Sequence, residues 1–440
     1  MNIFVVAFFL LCFICVLLFY YTHTKFKSSD DPNFHKFQRI YVFVYMLAMA
    51  GDWLQGPYVY ALYEHYGKTK KEIELLFVAG FGSSMIFGTF IGSFADKIGR
   101  KKNCVLYGIL YGLSCVTKHF SSFHILMCGR ILGGIATSLL YSAFESWLLT
   151  EHTKRNFPKE LQGTIFSHAY LGNSVVAILS GVVAQYSVDY MGFVAPFDVA
   201  IVMLTIMNAS IIFLWPENYG DSKGSIINNF KLTFRSIFTD SKIFCLGIIQ
   251  SLFEGSMYCF VLEWTPALSP FRDSSESNTD GHRGSIPHGY IFATFMVALM
   301  IGSCAFRALE KWSRIESFMR YVFVLSGICL SLPFLFPDSQ NIIFLGFIVF
   351  EICVGIFWPA LGTLRGKYVA EEIRATVMNC FRIPLNLIVV LILCQNFKIT
   401  FVFQLCAVFL SLTAIFQCWL HWLSPVEEKK ALNEIISDSV

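Results

Sequence analysis

Thirteen apolar runs, each about long enough to cross a bilayer core of roughly 30 Å, constrain this chain more than any other feature. They lie at 3–20 and near 40–62, 75–95, 103–117, 123–149, 163–185, 192–215, 243–265, 288–306, 319–336, 341–364, 375–394 and 400–420. Hydrocarbon offers no water to backbone N–H and C=O groups, so such runs must satisfy them internally, as helices. Only 14% of residues are charged, against about 25% in a soluble domain. The expectation is an all-α polytopic membrane protein that meets membrane lipid and no nucleic acid. The 14 cysteines scatter through the apolar runs. Cys12-x-x-Cys15 has no second pair at zinc spacing, so the cysteines read as small packing residues, and neither metal nor cofactor is expected. No Gly-x-Ser-x-Gly, phosphate-loop lysine or His-Glu-x-x-His is present, so the chain does not read as an enzyme.

Basic residues set the orientation. Residues 3–20 lack the basic start and small-residue cleavage site of a signal peptide, and Lys25 and Lys27 follow them. The run therefore reads as an uncleaved helix that starts outside and ends in the cytoplasm. Alternating from there, 24 of the 33 Lys and Arg residues fall in cytoplasmic segments and 7 in outer ones, as the positive-inside rule requires. Lys68, Lys70 and Lys71 are an outer exception, accompanied by Glu64, Glu72 and Glu74. The polar stretch 216–242 divides the later runs six and six. The organisation expected is an N-terminal helix and linker at 1–38, a six-helix half at 39–215, a central loop at 216–242, a second half at 243–423 and a tail at 424–440.

Between two of the runs lies Gly92-Ser93-Phe94-Ala95-Asp96-Lys97-Ile98-Gly99-Arg100-Lys101-Lys102. Gly88 and Gly92 let a neighbouring helix approach, Gly99 permits a tight turn, and the basic triplet marks the cytoplasmic face. The spacing Gly-x-x-x-Asp-x-x-Gly-Arg-Lys-Lys resembles the loop between helices 2 and 3 of the major facilitator superfamily. The resemblance implies a major facilitator fold: 12 core transmembrane helices in two six-helix halves, with one extra N-terminal transmembrane helix. It also implies a gate role for Gly92, Asp96, Gly99, Arg100 and Lys101. Traces of a repeat run through both halves. Arg130 with Gly134 lines up with Glu351 and Gly355, and Asp52-Trp53 echoes Glu263-Trp264.

A charge in hydrocarbon is costly and tends to face a bundle interior or watery cavity. Leu126-x-x-x-Arg130-x-x-x-Gly134 resembles a second motif of that superfamily, which implies that Arg130 faces the central pathway; the alternative is a structural arginine bonding a neighbouring carboxylate. Arg382, two residues before Pro384, lies where a helix can kink, or it snorkels to the cytoplasmic face. Asp52 precedes Gly56-Pro57 and could relay protons or pair with an arginine. Glu254 and Glu351 are acids at similar depth, and Glu145 lies nearer the cytoplasm, as a gate residue. Arg130, Arg382, Asp52, Glu351 and Glu254 form the expected substrate site.

Further stretches narrow the resemblance: Asp52-Trp53-Leu54-Gln55-Gly56-Pro57-Tyr58, Gly129-Arg130-Ile131-Leu132-Gly133-Gly134, Phe144-Glu145-Ser146-Trp147 and Trp264-Thr265-Pro266. With Ile249-Gln250-Ser251-Leu252-Phe253-Glu254 and Phe381-Arg382-Ile383-Pro384, they are similar to the molybdate-anion transporter family. That resemblance implies a secondary active transporter that takes up molybdate, a tetrahedral dianion, across the plasma membrane by alternating access, with a proton as candidate coupling ion. Arginine forks suit such oxyanions, but sulfate has the same charge and shape. Transport of another anion or a sugar, and a non-transporting receptor on the same fold, stand as alternatives. On this reading Asp96→Asn reduces transport while substrate binding stays largely intact. Binding that falls in step with flux would remove the gate role.

Overall fold

The computed structural model describes residues 3–22, 31–158, 160–219, 236–268, 286–369, 371–395 and 397–424; within these, the side chains of 22, 89–98, 160, 371–376, 378 and 379 lie outside the description. No strand occurs among the described residues. The first helix, α1, is Ile3–Thr22, and α2 is Pro32–Trp53, begun by the Asp31 side chain accepting from Asn33 N–H. The expected continuous span 40–62 is broken. Leu54 and Gln55 turn, Gly56–Tyr58 is a single 3-10 turn, and α3 resumes at Val59–His65. Pro57 has no N–H to continue the ladder, and the Gln55 amide donates back to the Gly51 carbonyl at 2.9 Å.

The remaining helices are α4 Lys70–Ile98, α5 Arg100–Val116, α6 Phe123–Lys154, α7 Glu160–Met191, α8 Ala195–Leu214 and α9 Ser241–Leu268. They continue with α10 His288–Trp312, α11 Ile315–Leu335, α12 Gln340–Tyr368, α13 Glu371–Cys394 and α14 Ile399–Leu423. Nine of these (α1, α6 to α12 and α14) are by length and composition able to cross a membrane among the described residues. The interrupted α2–α3 segment, α4 with its charged first turn, the short α5 and the partly described α13 complete the bundle.

Packing repeats with an offset of six segments. In the first half α4 lies on α6, α5 on α6 and α8, and α2 on α7 and α8. In the second half α10 lies on α12, α11 on α12 and α14, and α9 on α13 and α14. Between the halves α7 meets α10 and α4 meets α13, which are equivalent pairs under that offset. The repeat has residues behind it. A Cβ on Gly134 would lie 2.3 Å from the Gly80 carbonyl oxygen, and one on Gly355 would lie 2.0 Å from that of Leu299. Glycine at both places lets backbones touch, where membrane helices gain most of their packing energy. Nearby hydroxyls fasten each crossing: Ser138 donates to the Ser84 carbonyl at 3.0 Å, and Ser303 to that of Gly355 at 3.2 Å.

Helix α1 stands outside this symmetry. Phe8, Cys15, Ala293, Val297 and Ile301 form one buried cluster, with Ile178 and Val182 of α7 packed against it. Phe4 meets Phe344 edge-on at 4.8 Å. The opposite side of α1 is bare, with Phe9, Phe13 and Val16 exposed.

Gly355→Val is expected to cost roughly 1–3 kcal/mol through overpacking, read as a lower thermal unfolding midpoint of the purified protein. Gly362 has nothing within 4 Å of a Cβ, so Gly362→Ala should leave that midpoint nearly unchanged.

Candidate functional site

At the cytoplasmic end the motif loop is a single-residue turn. Gly99, at φ +119°, separates α4 from α5. A Cβ there would lie 2.7 Å from the Glu217 carboxyl carbon, so both conformation and space demand glycine. Glu217 is the residue that sequence reasoning missed. Its Oε1 accepts from the Lys101 N–H at 2.9 Å, putting a carboxylate on the positive end of α5. Asn218 accepts from the Arg100 N–H at 3.0 Å through its carbonyl, and its amide donates to the Trp147 carbonyl at 3.1 Å. The Trp147 indole donates to the Pro216 carbonyl at 3.0 Å and stacks on Trp215 at 3.7 Å. The first residues of the presumed central loop are thus docked on the first half. Pro216-Glu217 directly after an apolar run was the available signal.

The expected gate cations are spent locally. The Arg100 guanidinium donates to the Ser146 carbonyl at 3.0 Å and to the Thr150 hydroxyl. The Lys101 ammonium donates to the Ile212 carbonyl at 2.9 Å. Gly92 lies in α4, and the Asp96 side chain, expected at the gate, lies outside the described residues. Glu145 is exposed, and its charge reaches Tyr41, Tyr45 and Tyr170. Tyr141 and Tyr170 are likewise exposed, at 51% and 60%.

Deeper in the bundle, Asp52 accepts from the Tyr111 hydroxyl at 2.6 Å, and the neighbouring Trp53 indole donates to the Asn173 side chain at 2.8 Å. From the second half, Glu254 faces Arg365, with Oε1 3.6 Å from Nη2 and both side chains buried. The sequence reading placed Arg365 in the cytoplasmic segment 365–374. The structure corrects this, because α12 runs on to Tyr368 and turns Arg365 inward. Among the described residues, the Arg365 Nε and the Gln250 Oε1 are buried without a hydrogen-bond partner. Arg382 is exposed, and its charge reaches Glu254, Arg365, Tyr141 and Tyr258; the charge of Asp52 reaches the two tyrosines as well.

Asp52, Glu254 and Arg382 therefore gather with Arg365 around Tyr141 and Tyr258. Arg130 and Glu351 do not join them. Arg130 lies toward the outer end of the first half, its Nε donating to the Leu76 carbonyl at 3.3 Å and its guanidinium 4.6 Å from the centre of the Phe77 ring. The charged group whose field it shares is Lys118, buried with its ammonium 2.6 Å from the Tyr63 hydroxyl. Glu351 is 4% exposed and has no ion pair or hydrogen bond to its carboxylate among the described residues. The central cluster sets the guanidinium groups of Arg365 and Arg382 against the carboxylates of Glu254 and Asp52, and the Arg365 fork is only partly used.

Glu217→Ala should free the α5 N-terminus. The expected result is faster amide hydrogen exchange over Lys101–Asn103, with the protection of α12 unaltered.

A family model described as sugar transporters with 12 transmembrane helices matches residues 3–354. Over 398 residues the chain is 33% identical to the molybdate-anion transporter of Xenopus tropicalis, covering 85% of this chain and 82% of that protein. Over 396 residues it is 32% identical to that of Takifugu rubripes, covering 82% and 80%. Its fold is similar to the crystal structure of the nucleoside transporter NupG, with a TM-score of 0.65 at 12% identity, across 88% of this chain and 99% of that one. That likeness speaks for the fold alone. The chain is a multi-pass membrane transporter of the major facilitator type, and within that superfamily it belongs to the molybdate-anion transporter family.

Proposed function

We propose that this protein is a secondary active transporter that takes up molybdate, or an oxyanion of the same form, across the plasma membrane by alternating access of its two halves. The substrate class rests on the names of its relatives and on one observation of its own. Arg365 and Arg382 both act on Glu254, and the buried Arg365 Nε–H is unpartnered among the described residues. A guanidinium presents its donors as a planar fork that fits two oxygens of a tetrahedral oxyanion. An oxyanion can replace a carboxylate as the partner of these guanidinium groups, while an uncharged sugar cannot. Asp52 and Tyr141 bring first-half groups to the same place as Tyr258 of the second half, as a site between rocking halves requires.

The same reading assigns the helices of 39–215 and 243–423 to the two moving bodies, joined by 216–242. Arg130 and Glu351 stay in the scheme away from the anion. Arg130 braces α6 on α4, and Glu351 is a buried carboxyl group able to hold a coupling proton. Asp96 keeps the gate role given above, with Gly99, Arg100, Lys101 and Glu217 holding the turn beside it, and Glu145 lines the inner approach.

Flux of molybdate, sulfate and glucose into proteoliposomes tests the proposal, with molybdate expected to be carried and glucose refused. Arg365→Lys and Arg382→Lys keep the charge and remove the fork. Charge-assisted hydrogen bonds are worth about 1.5–3 kcal/mol each, so apparent affinity for molybdate should fall about tenfold to hundredfold. Unchanged affinity in both variants would place the anion elsewhere.

A further inference from the structure

The outer ends of the two halves meet at a charge cluster that plays no part in the anion site. Lys70, at the start of α4, lies 3.6 Å from Glu74 Oε1 on its own helix and 3.3 Å from Glu263 Oε1 on α9. Its ammonium also donates to the Phe397 carbonyl at 3.3 Å, just before α14. One lysine of the first half is thus held twice by the second. Both carboxylates are buried, Glu74 at 5% exposure and Glu263 at 4%, and in each the second oxygen, Oε2, is buried without a hydrogen-bond partner among the described residues. Around them stand Tyr60 and Glu64 of α3 and Cys259 of α9, whose thiol meets that of Cys406 on α14. None of these supplies a second cation. Two buried carboxylates against one ammonium leave an uncompensated negative charge in a low-dielectric seam, and nature avoids that by neutralising one member.

We propose that Glu74 and Glu263 form a proton-binding site at the outer seam, in which one shared proton is the condition for closing it. In the closed state one Oε2 carries the proton, and Lys70 then balances the remaining carboxylate. When the halves part, water reaches both acids, the O–H bond breaks and the proton returns to the outer medium. Proton uptake and release occur on the same side, so the site sets how long the outer face stays shut and drives no net proton movement. Acid outside holds the seam closed. The proposal rests on the alternating-access reading, since it needs an outer face that opens.

The test is hydrogen exchange by mass spectrometry on the full chain in proteoliposomes, followed over residues 59–78 and 258–268 as pH is varied and corrected for intrinsic amide rates. In the unaltered protein the opening constant should rise about tenfold per pH unit, the slope for one linked proton. Glu263→Gln leaves a neutral Glu74–Lys70 pair, so the seam should stay protected and the slope should vanish. Lys70→Met leaves two acids with no cation, so the slope should steepen and the transition should move to lower pH. The opposite signs keep the test decisive if one variant folds poorly. A seam that opens with no pH dependence overturns the proton site and leaves the transport reading standing. Protection at every pH in all three proteins overturns both.

Discussion

A charged side chain can rest in hydrocarbon only with a partner, and here the helix packing decides which partners exist. Each half is built on a crossing where glycine removes the side chain between two backbones, Gly134 over Gly80 and Gly355 over Leu299. Those crossings set which side chains of α6 and α12 turn inward. Arg130 is consequently pressed on Phe77 and the Leu76 carbonyl, and Arg365 reaches Glu254. An aromatic face and a carbonyl hold a cation without cancelling it. A carboxylate does cancel it, and this difference separates a bracing arginine from one that can exchange its partner for a ligand.

The fold was legible because its signals are long. Runs of apolar residues, a bias of basic residues to one side and a loop of fixed spacing each extend over many positions. The candidate cluster was legible in part. Asp52, Glu254 and Arg382 stand out as charges within apolar runs, and the structure gathers them. Arg365 was hidden because it follows Gly362-Thr363-Leu364 at the end of a run, where an arginine ordinarily belongs to the loop. Only the continuation of α12 to Tyr368 turns it inward. Glu217 was hidden for the reverse reason, since Pro216-Glu217 after a span marks its end but not that the chain bends back to cap another helix. The lysines at 68, 70 and 71 broke the charge bias, and the structure gives the physical reason for one of them: Lys70 pairs with acids of both halves.

The internal repeat shows what is preserved when two copies drift apart. Gly134 and Gly355 keep equivalent contacts, while one turn earlier the copies hold opposite charges, Arg130 and Glu351. Backbone-to-backbone contact tolerates no substituent, whereas the residue beside it is free to change. Gly302 occupies the α10 crossing, the counterpart of Ser83 rather than of Gly88 or Gly92.

Helix α1 makes the two seams between the halves unequal. It covers the junction of α7 and α10 with Phe8, Leu11 and Cys15, while across the molecule Ile86 and Phe87 of α4 and Leu387 and Leu391 of α13 remain exposed. A rocking motion that is symmetric in the protein is therefore asymmetric in its solvent. On one flank the sliding surfaces are protein against protein, with a fixed fit. On the other they are lubricated by acyl chains, whose length and order differ between membranes. The cost of the motion then depends on lipid composition through one flank only, and the molecule has a front and a back with respect to the bilayer around it.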